Sequence, residues 1–137
     1  MKLPLKDPML VMARVEGERG MVRELTAAID INYHYCMILG QDAVDLGYSQ
    51  AASKHVDEER LHPERTPWFT SLVGIVRGIM VTFPKVSVGP VVARNVDAVV
   101  LEQEHPRMVV ADMILGRSFL KDHKLTADLK KGYLELS

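Results

Sequence analysis

The stretch "TAAIDINYHYCMI", residues 26–38, joins an apolar run to a lone carboxylate, Asp30, and soon returns to a second apolar run. Both runs are short, which favours buried strands over amphipathic helices. A carboxylate that is buried without a partner costs several kcal/mol or gives up its charge. The stretch therefore predicts that Asp30 ends a strand, where it either accepts backbone N–H bonds in a turn or has a chemical role.

The composition is that of an ordinary globular protein. With 137 residues, 47% of them hydrophobic and 26% charged, the chain is expected to form one domain over 1–137. Acids and bases alternate along it and sum to a charge of -1, which gives no reason to expect nucleic acid or an anionic membrane as partner. The single cysteine excludes an internal disulfide, and no signal peptide or membrane span is apparent, so we expect a cytoplasmic protein.

The first half of the chain predicts short strands and one short helix. Residues 9–17 and 21–29 form a predicted hairpin, in which Gly17 and Gly20 supply positive φ angles. Residues 40–47 predict one or two helical turns that Gly47 caps. The charged segment 53–67, with two prolines, is predicted to be a surface loop.

The second half predicts further short strands. Residues 68–83 are predicted to form a hairpin whose tip comprises Val73, Gly74 and Ile75, and Pro84 is expected to end it. The remaining predicted elements are strands 85–89 and 91–102 turned at Gly89-Pro90, a strand before Gly116, a helix near 118–122, and a last hairpin turned at Lys131-Gly132. The whole predicts a mostly β protein, a closed or partly closed barrel with one or two short helices.

Three local segments add a family resemblance to this order of elements. "AAIDIN" (27–32) is an apolar run with Asp at its end, and "ILGRSFL" (114–120) is an apolar pair followed by Gly-Arg and Phe-Leu. The third segment is a V-x-V-G…N-V-x-A-x-V pattern formed by Val86, Val88, Gly89, Asn95, Val96, Ala98 and Val99. In this order, and over nearly the whole chain, they resemble the retropepsin-like aspartic protease family, the single-domain relatives of retroviral proteases.

The resemblance implies an acid-protease barrel, a homodimer and an extended peptide as ligand. Asp30 would be the catalytic residue, one from each chain, and the two carboxylates would share a proton about a two-fold axis. The peptide would add as a strand between Ile31 and Asn32 on one side and a flap tip at Val73, Gly74 and Ile75 on the other. The resemblance implies no cofactor.

This chain departs from the family pattern directly after Asp30. Ile31 stands where the family has Thr or Ser, Asn32 where it has Gly, and Tyr33 where a small residue is usual. His34 replaces the acid that pairs with the Arg of retroviral members, although Arg117 is kept. Two functions remain open: an aspartic endopeptidase, or an inactive pseudo-protease that binds peptides or holds a dimer together. If the resemblance is false, the remaining hypothesis is a small β-barrel interaction module that catalyses no reaction.

Neighbouring residues have structural interpretations. Gly116 is expected to allow a close approach behind the Asp30 loop, and Arg117 to form an ion pair. His34 and Cys36 would share a face of a strand, but two ligands are a weak signal, so no metal is expected. Cys36 is expected to be a small buried hydrophobe.

Overall fold

The computed structural model describes residues 1–4, 9–49, 68–71, 74–101 and 111–137, with only the backbone described for 68–71 and 74–77. Its strands are β1 (Lys2–Pro4), β2 (Leu10–Glu16), β3 (Val22–Ile29), β4 (Cys36–Leu39), β5 (Trp68–Ser71), β6 (Gly74–Arg77), β7 (Ile79–Val88), β8 (Val91–Leu101), β9 (Met113–Leu115), β10 (Leu125–Asp128) and β11 (Tyr133–Leu136). The α-helices are α1 (Gly40–Asp45) and α2 (Arg117–Leu120). The predicted loop at 53–67 and Val73 lie outside the described residues.

A closed barrel forms the centre of the protein, with the strand order β2-β3-β9-β4-β8-β7. The terminal strands form a separate sheet in the order β1-β11-β10, and β5 and β6 form a two-stranded sheet. The predicted mostly β barrel with short helices is therefore confirmed. None of the helices in the described part of the chain is long and apolar enough to cross a membrane.

The inside of the barrel is filled by alternate residues of each strand. Ala13 and Val15 of β2, Leu25 and Ala27 of β3, and Ile38 of β4 are among the buried residues of this core. Because successive side chains of a strand point to opposite faces, the alternating burial fixes which residues face outward. On β3 the outward residues include Ala28, two residues before Asp30.

Two predictions about turns are wrong in detail. Gly17 has a φ of -102°, whereas Gly20 has the predicted positive φ, 75°, and Arg19 is left-handed as well. Gly17 is nevertheless constrained, because a Cβ there would lie 2.1 Å from the carbonyl oxygen of Leu46. Pro84 does not end its strand, since β7 continues to Val88.

A coordinated kink carries β7 and β8 past Pro84. Asn95 of β8 lies opposite Pro84 and has a φ of 53°. At this pair of residues, the alternation of buried and exposed side chains shifts by one residue on both strands, so odd-numbered residues are buried before it and even-numbered ones after it. The inward-facing residues are Ile79, Val81, Phe83, Val86 and Val88 on β7, and Val91, Ala93, Val96, Ala98 and Val100 on β8. The register is the same on either side, so both strands bend together and the sheet stays closed. Asparagine tolerates the left-handed conformation better than most residues, which suits it to this rung.

The crossing from β3 to β4 is the feature that positions the candidate site. β9 lies between these strands, parallel to β3 and antiparallel to β4, so residues 30–35 pass over the end of β9. Gly116 follows β9 directly, and a Cβ there would lie 2.3 Å from the carbonyl oxygen of Tyr35 and 2.7 Å from that of Tyr33. The predicted close approach behind the Asp30 loop is confirmed.

We expect Gly116→Ala to destabilise the protein by about 3 kcal/mol, because the added methyl meets backbone atoms that cannot move aside singly. The control is Gly132→Ala in the β10–β11 turn, where φ is +71° and no atom lies within 4 Å of the new Cβ. That change costs only the left-handed backbone, about 1 kcal/mol. Urea unfolding of both variants measures the difference, and equal losses would contradict the close packing at Gly116.

Candidate functional site

Asp30 lies at the first position after β3, as the sequence predicts. Its N–H donates to the carbonyl oxygen of Leu115 at 3.1 Å, which continues the parallel pairing of β3 with β9 by one bond. Asp30 as a whole is half-buried, and its Oδ1 accepts the N–H of Asn32 at 3.0 Å in an exposed hydrogen bond. Its carbonyl oxygen accepts the N–H of Tyr33 at 3.4 Å. Within one chain, Asp30 thus closes a tight turn through both its side chain and its backbone.

Ile31 and Asn32 form the tip of this turn, and both side chains face solvent in the single chain. Ile31 is 56% exposed, an unusual place for a β-branched apolar residue beside a carboxylate. Asn32 supplies its N–H to Asp30, so its amide side chain is left at the surface. The first two residues that depart from the family pattern are therefore both accessible beside Asp30.

The return arm of the loop is held by the start of α2. Arg117 donates its N–H to the carbonyl oxygen of Tyr33 at 2.8 Å, and Ser118 donates its N–H to that of His34 at 2.8 Å. These bonds satisfy first-turn N–H groups that a helix leaves without an internal partner. The helix and the loop consequently fix one another. The Arg117 side chain is exposed and forms no ion pair with any described residue, so its ion pair stays a prediction.

Ser118 joins three elements below the loop, a role that the sequence did not reveal. Its hydroxyl donates to the carbonyl oxygen of Asp97 at 2.7 Å and accepts the N–H of Cys36 at 3.0 Å. The thiol of Cys36 lies 3.3 Å from the same oxygen. The serine therefore ties α2 to the first residue of β4 and to β8. A serine two residues after a buried glycine is too common a pattern to have predicted this junction.

Cys36 is fully buried, as predicted, and is unsuited to nucleophilic chemistry. Burial raises the pKa of its thiol, and the hydrogen bond from Ser118 only partly opposes this. His34 by contrast is exposed, with its ring packed edge-on against Tyr35 at 4.6 Å. The two residues do not share a strand face, because β4 begins only at Cys36. Nowhere in the described ranges do three His, Cys, Asp or Glu side chains form a group that could hold a metal ion.

A second apolar cluster lies on the outer face of the barrel, beside the Asp30 loop. The strand register aligns one residue from each strand in a row across this face: Leu10, Ala28, Ile114, Met37, Val99 and Met80. We call the buried part of this face, together with Tyr33, the outer-face cluster; it comprises Tyr33, Met37, Val99, Leu101 and Ile114. Side chains two residues apart on a strand point to the same face, so Ala28 and Asp30 lie on one side of the barrel. The row of apolar residues that includes Ala28 is therefore the one next to the carboxylate.

The predicted site residues are only partly brought together. Asp30, Ile31 and Asn32 share one turn. Gly74 and Ile75 begin β6, where they pair with Ser71 and Thr70 of β5, so the predicted hairpin exists. Its second strand ends at Arg77, and residues 79–88 belong to the barrel instead. Val73 falls outside the described residues, so its place at a flap tip stays a prediction.

Comparisons with known proteins support the fold. No family model matches the chain, and no curated protein matches its sequence. Among solved structures, the chain is similar to a retropepsin-like aspartic protease from Rickettsia conorii, with a TM-score of 0.61 and 14% sequence identity. The match covers 99% of this chain and 88% of that one. At this identity the likeness concerns the fold alone, and the chain has the fold of a retropepsin-like aspartic protease.

Proposed function

We propose that this protein is a homodimeric aspartic peptidase that cleaves extended peptides between two copies of Asp30. The observation that carries the proposal is the setting of Asp30: a half-buried residue at the end of β3, whose carboxylate and backbone are both hydrogen-bonded in a loop that α2 holds from behind. The fold likeness to an aspartic protease adds to it. A carboxylate in such a setting is rigid, and catalysis requires rigid placement.

Two chains are needed because each contributes one carboxylate. Two carboxylates within contact distance cannot both ionise cheaply, so they share one proton. The ionised member takes a proton from a water molecule as its oxygen attacks the scissile carbonyl carbon, and the other gives its proton to the carbonyl oxygen. The first carboxyl then gives its new proton to the amide nitrogen, a hydroxyl of the tetrahedral intermediate returns a proton to the second carboxylate, and the C–N bond breaks to leave a carboxylic acid and an amine. The bound peptide lies extended and presents alternate side chains to the site.

The exposure of Ile31 is a second observation in favour of the dimer. Its side chain is 56% exposed at the tip of the loop that carries Asp30. Burying it against its symmetry mate would gain roughly 25 cal/mol for each Å² of apolar surface removed from water. Under this proposal, apolar packing of the two Ile31 side chains takes the place of a hydroxyl hydrogen bond between the loops.

The second candidate is a dimer that binds peptides without cleaving them. The replacement of a hydroxyl residue by Ile31 and of glycine by Asn32 favours it, since both stand next to the carboxylate and Asn32 adds an amide side chain there. Both candidates require the same dimer and the same peptide site. Only a cleavage assay on a confirmed dimer separates them.

We expect Asp30→Asn to abolish cleavage of a diverse peptide library, with a loss of at least ~10²-fold, because a carboxamide cannot act as the base. The matched control is Asp128→Asn: Asp128 also accepts a backbone N–H in a turn, from Lys131 at 3.1 Å, but lies in the terminal sheet. Mass spectrometry of the digests gives the measurement. Cleavage that survives in the Asp30→Asn dimer contradicts the assignment, and a wild-type dimer that binds peptides without cleaving them supports the second candidate.

The rate of cleavage is expected to depend on pH with a bell shape. The shared proton is present only between the two apparent pKa values of the pair, so the rate falls when both carboxylates are protonated and again when both are ionised. Initial rates across the acid-to-neutral range test this for the wild type and for Asp128→Asn, which is expected to give the same profile. A single sigmoid would contradict a working pair.

Ile31→Glu is expected to weaken the dimer on the order of 100-fold, because it brings two added negative charges to an axis that already carries two carboxyl groups. Leu129→Glu makes the same change at a residue that is 84% exposed in the β10–β11 turn, and it is expected to leave the dimer intact. Light scattering over a dilution series measures both. Equal dissociation constants would place the two-fold axis away from the Asp30 loop.

A further inference from the structure

The outer-face cluster is an unusual feature of this barrel. The outside of a small barrel is normally polar, yet Ile114, Met37 and Val99 are adjacent on three neighbouring strands and almost fully buried there. The same row is open at its other end, where Ala28 is half-buried and Leu10 is 46% exposed. The change from covered to open occurs between Ile114 and Ala28, directly before Asp30.

Tyr33 forms part of the cover. Its side chain is only 8% exposed and belongs to the same cluster as Ile114, Met37 and Val99. Its backbone is fixed at both ends, by its N–H to the carbonyl oxygen of Asp30 and by its carbonyl oxygen to the N–H of Arg117. The ring therefore has little freedom to leave the surface on which it packs. A tyrosine side chain fills roughly 150–250 Å² of such a surface.

The position of this ring limits what can lie next to Asp30. Ala28 faces the same side as Asp30 and neighbours Ile114 across the β3–β9 pairing. A peptide extended past the carboxylate would place one of its alternate side chains over Ala28 and Ile114. Beyond Ile114, the apolar surface continues to Met37 and Val99, which are buried in the same cluster as Tyr33, with Tyr35, Leu39 and Met80 packed against it. The space left for that peptide side chain is accordingly shallow.

We propose that Tyr33 determines the specificity of the site, by restricting the peptide position that lies over Ala28 and Ile114 to small side chains such as glycine, alanine or serine. The inference rests on the proposed function, since it requires a peptide at Asp30. Removing the ring uncovers the floor formed by Ile114, Met37 and Val99, and large aliphatic or aromatic side chains then become the preferred ligands at that position.

The test measures binding, so that it does not depend on cleavage. The protein carries Asp30→Asn, and the probes are peptides in which alanine or phenylalanine is placed in turn at each position of one common sequence. Isothermal titration gives the ratio of the phenylalanine to the alanine association constants for Tyr33 and for Tyr33→Ala. We expect the ratio to rise at least tenfold, at one position or at the pair of positions that two-fold symmetry relates, and to stay constant elsewhere.

Tyr133→Ala is the matched control. Tyr133 is a half-buried tyrosine of β11 in the terminal sheet, with the ammonium of Lys2 4.7 Å from its ring centre, so its removal is expected to leave every ratio unchanged. Tyr33→Leu serves if Tyr33→Ala does not fold, and it is expected to shift the same position by a smaller factor. Since each ratio is taken within one variant, a general loss of stability does not imitate the effect.

The outcomes separate the two proposals. Peptide binding with an unchanged ratio in both Tyr33 variants overturns the role of Tyr33 and leaves the peptide site standing. Failure of every peptide to bind any variant, including the Asp30→Asn parent, overturns the peptide site and the role of Tyr33 with it. A ratio that changes at every position equally also overturns the inference, because one ring covers one part of the surface.

Discussion

The structure depends on the parallel pairing of β3 with β9. Since β9 lies between β3 and β4, the chain that leaves β3 has to cross the end of β9 before it can enter β4. At that crossing, the carbonyl oxygens of Tyr33 and Tyr35 approach Gly116 so closely that a Cβ has no room. The N–H groups at the start of α2 then bind the same loop. Asp30 is rigid because this crossing is rigid.

Burial on two faces distinguishes the strands around that crossing. β4 and β8 are parallel to each other, as are β3 and β9, and parallel strands are commonly apolar on both sides. Their inner residues fill the barrel, and outer residues of β4, β8 and β9 form the outer-face cluster together with Tyr33. The second face requires a cover from outside the barrel. The loop that presents Asp30 supplies part of it through Tyr33, so one short segment holds the carboxylate and also shapes the surface beside it.

In the single chain, Asp30 acts as a turn residue, and the chemistry we propose begins only with a second carboxylate. The departures from the family pattern then have a common physical meaning. A hydroxyl between two loops gives one directional hydrogen bond, whereas the exposed Ile31 would give non-directional burial against its mate in the proposed dimer. Such an exchange would keep an attraction between the two loops without the directional bond that fixes their orientation.

The sequence by itself determined the features that local chemistry decides. The β2–β3 hairpin, the helix that ends before Gly47, the Gly89-Pro90 turn and the last hairpin follow from turn residues and short apolar runs. The place of Asp30 at the end of a strand followed in the same way, and the many short strands predicted the barrel, to which the resemblance added the acid-protease type. The residues that form each of these signals lie within a few positions of one another, so each element can be predicted without knowing which distant residues it contacts.

Only the tertiary structure decided the rest. Pro84 remains inside β7 because Asn95, on another strand, adopts a left-handed conformation at the same rung. Gly17 is required by the carbonyl oxygen of Leu46, and Ser118 by Cys36 and Asp97. In the sequence Tyr33 stands out only as a departure from the family pattern, and it is buried because the register aligns an apolar row beneath it. Each of these four features depends on contacts between atoms from distant parts of the chain. A local sequence pattern cannot predict such contacts.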